Sequence, residues 1–118
     1  MPDFETVAIL DYDTDVLNLY KLSLQEFNYY VKGFENPQSL LEYVRSFPNE
    51  IRFLIIEYKM DHMTSCQLAN EVNSINPEIK MAFVTGYDDI VNNVLNLEII
   101  KKPIKLTQLL KLVKRYFK

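Results

Sequence analysis

The sequence predicts a three-layer α/β fold, a parallel sheet with helices on both faces, and three observations carry that reading. Strand and helix patterns alternate along all 118 residues with short breaks and no internal repeat, as right-handed βαβ units do. Phe53-Leu-Ile-Ile56 is a continuous apolar run, short enough to be a strand covered on both faces. The run ends abruptly in an acid, Glu57, followed by a polar loop. A carboxylate at the carboxyl end of a central parallel strand stands where open α/β sheets place their sites. Glu57 is therefore the first candidate functional residue.

The elements follow in order. Thr6 to Leu10 is an apolar strand ending in Asp11-Tyr12-Asp13, and Thr14 or Asp15 can then cap a helix carrying Val16, Leu17, Tyr20, Leu24 and Phe27 at helical spacing. Tyr29 to Phe34 reads as a second, more polar strand. Asn36-Pro37 is an N-cap with proline in its favoured first position, opening a helix whose face is Leu40, Leu41, Val44 and Phe47 and which Pro48-Asn49 stops. After the third strand, Phe53 to Ile56, Thr64 or Ser65 starts a helix through Leu68, Ala69, Val72 and Ile75 that Asn76-Pro77 ends. Lys80 to Thr85 is the fourth strand. Gly86 permits a tight exit into Asp88-Asp89, which favour the start of a helix carrying Ile90, Val91, Val94 and Leu95. Leu97 to Ile100 makes a short fifth strand, and after Lys102-Pro103 an amphipathic last helix, Leu106 to Phe117, turns Leu106, Leu109, Leu110, Val113 and Phe117 inward. Five strands and five helices result. The polar residues ending the first, third and fourth strands make those strands expected neighbours, with a candidate site of Asp11, Tyr12, Asp13, Glu57, Thr85 and Lys102.

Composition bounds the function. Hydrophobic residues make up 48% of the chain, enough for one core without disulfides or metal, and residues 1–118 are expected to form one domain. Lys and Arg (13) are outnumbered by Asp and Glu (16), which argues against a nucleic-acid footprint, the basic stretch Lys111 to Lys118 being a local exception. One cysteine cannot form an internal bridge, and with neither a leader pattern nor an apolar run of spanning length the chain reads as soluble and cytoplasmic, with no membrane partner. His62, the only histidine, has no second ligand near it in sequence and reads as an exposed loop residue; Cys66 reads as a buried small hydrophobe.

Over nearly its whole length the sequence resembles the receiver domain of two-component response regulators. Four segments carry the likeness: Ile9-Leu-Asp-Tyr-Asp13, Leu54-Ile-Ile-Glu-Tyr-Lys-Met60, Val84-Thr-Gly86 and Lys102-Pro103. The resemblance implies a flavodoxin-like sheet of order 2-1-3-4-5, with Glu57 at the phosphoacceptor position, Thr85 at the switch hydroxyl and Lys102 at the site lysine. It implies a histidine kinase or another signalling protein as partner. It also exposes departures: the phosphoacceptor of the family is an aspartate, Tyr12 stands where the family has its chief metal-binding aspartate, Ile99 falls on the rotating aromatic, and the segment from Thr85 to Lys102 is several residues short.

These departures have physical consequences. Mg²⁺ wants hard oxygen ligands in near-octahedral geometry, and a phenol in place of a carboxylate removes a charge and a coordination position. The remaining candidates, Asp11, Asp13, Glu57 and the carbonyl of Lys59, make a weak metal site at most, so no cofactor is expected, Mg²⁺ belonging to the alternative of a working receiver phosphorylated by a kinase. The longer Glu57 side chain also displaces its carboxylate, where about 1 Å of misplacement can cost a factor on the order of 100 in rate. Glu57 can instead pair with Lys102, imitating part of the phosphorylated contact set. The expectation is thus an atypical receiver acting through protein contacts and not an enzyme. A small flavodoxin-like ligand binder is a further alternative, although the loops lack the Ser/Thr/Gly-rich phosphate cradle that FMN would need. The family's usual docking face should present Asp89, Asn92, Asn93, Glu98, Lys101, Lys111 and Arg115, with Ile90 and Leu97 as apolar groups. Both signs on one face allow a weak homodimer in which Asp89 or Glu98 of one chain meets Lys111 or Arg115 of the other.

Overall fold

The computed structural model of the chain describes residues 6–58, 65–86, 97–102 and 104–117, with the backbone alone of Leu97 and Tyr116. Within them run β1 (Thr6–Leu10), α1 (Thr14–Gln25), β2 (Tyr30–Phe34), α2 (Pro37–Ser46), β3 (Ile51–Glu57), α3 (Ser65–Ile75), β4 (Lys80–Thr85), β5 (Leu97–Lys101) and α4 (Leu106–Tyr116). All neighbouring strands pair in parallel, in the order β2-β1-β3-β4-β5 that the resemblance implied. The described residues hold four helices; the fifth, expected over Ile90 to Leu95, lies outside them.

Strand periodicity divides the core between the two faces of the sheet, since successive side chains point to opposite sides. Ala8, Leu10, Leu54, Ile56, Met81 and Phe83 meet Leu40, Leu41 and Val44 of α2 and Leu68, Ala69 and Val72 of α3. Val7, Ile9, Phe53, Ile55, Ala82 and Val84 meet Leu17, Tyr20 and Leu24 of α1 and Leu109, Leu112 and Val113 of α4. The three central strands are therefore apolar on both sides, as the run Phe53 to Ile56 required. Their registers match Leu10 with Ile56, Glu57 with Val84 and Thr85 with Lys101, so the polar residues that end or follow them collect at one end of the sheet.

Local chemistry corrects several sequence expectations. The cap of α1 is Asp13, not Thr14 or Asp15: its side chain accepts the N–H groups of Asp15 and Val16. Phe27 is 49% exposed because the helix ends at Gln25, before the helical spacing reaches it. There Asn28 takes φ 68°, the Asn28 N–H donates to Gln25 O and the Tyr29 N–H to Leu24 O, closing the helix in the left-handed manner usually left to glycine. Phe47 follows α2 and is 52% exposed, resting on the Tyr43 ring instead of the core. Leu106, at the first residue of α4, is exposed, and Leu112 takes the inward place that the sequence reading missed. Gly86 needs no special freedom, since its φ is not positive and a Cβ there would meet nothing within 4 Å. By contrast the Asn36 cap with Pro37 behind it stands as expected, Asn36 accepting the Ser39 N–H at 2.9 Å.

The turn at Asn28 gives a stability test. Asn28→Ala places a Cβ without a compensating polar group in the left-handed region and should cost about 1 kcal/mol in chemical denaturation. Asn28→Gly should leave stability equal or higher, because glycine adopts that conformation without a steric penalty.

Candidate functional site

The site lies at the carboxyl end of the sheet and is assembled from four strand ends. Asp11 follows β1 and is buried; its N–H donates to Phe34 O at 3.1 Å and its Oδ1 accepts the Asp13 N–H at 2.9 Å. Asp13 spends its own Oδ1 on the amino end of α1, accepting Asp15 N–H at 3.0 Å and Val16 N–H at 3.3 Å. Glu57 ends β3, and the Tyr58 N–H behind it donates to Val84 O at 3.0 Å. The Tyr58 carbonyl takes the Ser65 hydroxyl at the start of α3, and its ring packs on Phe83. Thr85 ends β4, is 1% exposed, and its carbonyl accepts the Lys102 N–H at 2.7 Å.

That last backbone bond fixes Lys102 beside Glu57. The Lys102 Nζ lies 2.7 Å from Glu57 Oε2, with the glutamate side chain 12% exposed and the lysine side chain 43% exposed. Oε2 is buried and has no oriented hydrogen bond, so the contact is an ion pair by distance. Its gross attraction, roughly 6 kcal/mol at this separation and an effective dielectric near 20, is screened through the exposed lysine to a net contribution of about 1 kcal/mol. Removing Lys102 would cost more than that, because a buried carboxylate oxygen would lose its cation.

The neighbouring acid feels this crowding. Burial pushes the Asp11 carboxyl above its ordinary value of 3.8, and the Glu57 and Asp13 carboxylates push the same way against the Asp13 N–H and the Lys102 ammonium. Tyr20, on the buried face of α1, belongs to the same environment: burial raises its phenol first, and the Asp11 and Glu57 charges add to it. Sequence reasoning counted Tyr20 only as part of a helix face. Nothing in the local sequence distinguishes it from Leu17 or Leu24; only docking of α1 over the acids does.

The structure thus brings Asp11, Glu57, Thr85 and Lys102 together, while the Asp13 carboxylate is turned to the helix. Tyr12 is half-buried between the two acids. A divalent cation would need converging oxygen ligands, but one Asp11 oxygen and the Asp13 Oδ1 serve backbone N–H groups and the Glu57 Oε2 faces an ammonium. Among the described residues no three acidic, histidine or cysteine side chains lie close enough to hold a metal. Lys59 and His62 lie outside the described residues.

Of the expected docking face, Asp89, Ile90, Asn92 and Asn93 also lie outside them. Lys101 and Lys111 are exposed, and Ile99 is 43% exposed on β5. Arg115 Nη1 reaches Glu98 Oε1 at 2.7 Å within the chain, so a pairing expected between copies is made inside one.

A pH test follows from Asp11. Its folded state holds a proton more tightly than the unfolded chain, so the charged form costs stability, and that cost grows as pH rises from 3.8 through the folded value. Asp11→Asn keeps an acceptor for the Asp13 N–H and removes the charge. It should melt above wild type at pH 7, with the gain shrinking on acidification and gone below pH 3.8.

Comparison with known proteins agrees with this geometry. The chain is 25% identical over 87 residues to the response regulator receiver protein CpdR of Brucella abortus strain 2308, covering 74% of this chain and 71% of that protein. It superimposes on a response regulator receiver protein from Sinorhizobium medicae WSM419 with TM-score 0.87 and 18% identity, over 98% of this chain and 96% of the other. It matches the beryllofluoride-activated NtrC4 receiver domain dimer with TM-score 0.86 and 12% identity, over 97% of both chains. No family model matches the sequence. Among the described residues no helix is long and apolar enough to cross a membrane. The fold of the chain is that of response regulator receiver domains.

Proposed function

We propose that this chain is an atypical receiver in two-component signalling, acting through contacts with a histidine kinase or another signalling protein and not through its own phosphorylation. The observation that carries the reading is the 2.7 Å pair between Glu57 Oε2 and Lys102 Nζ. In a receiver these positions belong to the phosphoacceptor and to the lysine that meets the phosphoryl group; here a carboxylate already engages the lysine. One carboxylate supplies less charge and fewer acceptor atoms than a phosphoryl group, so the imitation is partial. The donor set supports the same reading, since the acids at this end of the sheet are committed to backbone N–H groups and to an ammonium.

Intact-mass measurement after incubation with acetyl phosphate and Mg²⁺ tests this directly. We expect no added phosphate, and a stable gain of one on Glu57 or Asp13 would establish a working receiver instead. A repair series separates the two departures, because acceptor and metal act as a unit and their effects should not add. Glu57→Asp alone should restore little. Tyr12→Asp with Glu57→Asp should bring back measurable Mg²⁺ binding and some phosphorylation; equal phosphorylation of the single variant would remove Tyr12 from the explanation.

The β5 and α4 face remains the proposed surface for a weak homodimer. With Glu98 and Arg115 paired inside the chain, apolar groups such as Ile99 and Leu106 carry the contact and charges set its register. Light scattering should show concentration-dependent association that Ile99→Glu weakens; a monomer at every concentration would remove this surface.

A further inference from the structure

The β2 edge of the sheet presents a second surface, away from the acids. The Phe34 carbonyl accepts the Asp11 N–H, so Phe34 turns its peptide groups toward β1. Peptide groups alternate sides along a strand, and Lys32 therefore faces β1 as well, while Val31 and Gly33 direct their N–H and C=O groups to the side where, among the described residues, no strand follows β2. Two donors and two acceptors spaced in this way form a template for an added strand. A groove of about 860 Å³ lies along this edge, lined among others by Lys21, Asn28, Tyr30, Lys32, Gly33 and one acid, Glu50. Gly33 brings no side chain over its peptide groups, and a Cβ there would press on Leu17 at 3.2 Å.

Charge decides what fits. A second copy added antiparallel about Lys32 would match Val31 with Gly33 but set two lysines directly opposite each other, which is destabilising. A lysine in the middle of an edge strand is a common guard against self-pairing. The same lysine favours a foreign strand with a carboxylate opposite it. The Lys32 Nζ lies 5.2 Å from the Tyr43 ring centroid, which holds it on the α2 side of the strand, and Tyr30 (59% exposed) and Phe34 flank it on that face. Aromatic residues pair well across strands with β-branched ones. We propose that β2 docks an extended peptide from a partner protein, one that places an acidic residue opposite Lys32 with β-branched residues two positions to either side.

NMR on the full chain tests this with two short acetylated peptides of threonine and valine, one with a central glutamate and one with a central lysine. In the free protein the Val31 and Gly33 amides should exchange with solvent faster than that of Lys32. The glutamate peptide at millimolar concentration should slow exchange at Val31 and Gly33 and bind about tenfold tighter than the lysine peptide. Lys32→Glu should reverse that preference, and Lys32→Gln, which keeps length without charge, should abolish it. Equal binding of both peptides to wild type, or binding that leaves the Val31 and Gly33 amides unprotected, overturns the proposal. So does concentration-dependent protection of those amides without peptide, which would assign the edge to a second copy.

Discussion

Burying a charge is tolerable only when a partner comes with it, and at the carboxyl end of this sheet that partner is Lys102. Glu57 ends a strand that is buried on both faces, and its Oε2 has no other cation at hydrogen-bonding distance among the described residues. The ammonium is delivered by the backbone: the Lys102 N–H is bound to the Thr85 carbonyl, so the exit from β5 is tied to the end of β4 at the point where the side chain must turn toward β3. Three strand ends are joined by one backbone bond and one ion pair.

The rest of the site adapts to that pair. Asp11 is buried next to it, and its proton is held more tightly because burial and two other carboxylates outweigh the stabilising N–H and ammonium. Tyr20 lies in the same low-dielectric region and remains a neutral phenol at ordinary pH. Asp13 caps α1, gaining two backbone hydrogen bonds and a favourable helix dipole, while its charge still adds to the shift of Asp11. Among the described residues each of these acids thus has a neighbour within the protein: a backbone N–H for Asp11 and Asp13 and an ammonium for Glu57.

Similar accounting applies at the other surfaces. Arg115 is held by Glu98 across α4 and β5, and Lys114 lies 5.3 Å from the Phe27 ring centroid, so these two basic groups of α4 are engaged within the chain. At the β2 edge Lys32 rests against Tyr43 while the peptide groups of Val31 and Gly33 face outward. One edge of the sheet therefore combines outward backbone hydrogen-bonding groups with a positive charge on one face.

Much of the architecture was legible in the amino-acid order because it rests on periodicity. Apolar runs of strand length, the alternation with helical spacing and the Asn36-Pro37 cap are local patterns, and each is visible within a few residues. Glu57 and Lys102 stood out for the same reason, one closing an apolar strand and the other preceding a proline. What packing alone decided concerns contacts between distant segments or the competition at a helix end. Whether Asp13 would cap α1 or face the other acids depended on where the helix began. Where Phe27 left the helix depended on Asn28 adopting a left-handed turn. Tyr20 entered the acid environment only when α1 docked on the sheet, and Glu98 found Arg115 only when α4 packed beside β5. Periodicity records which face of an element is apolar, but charge pairing depends on three-dimensional distances that no spacing along a single segment contains.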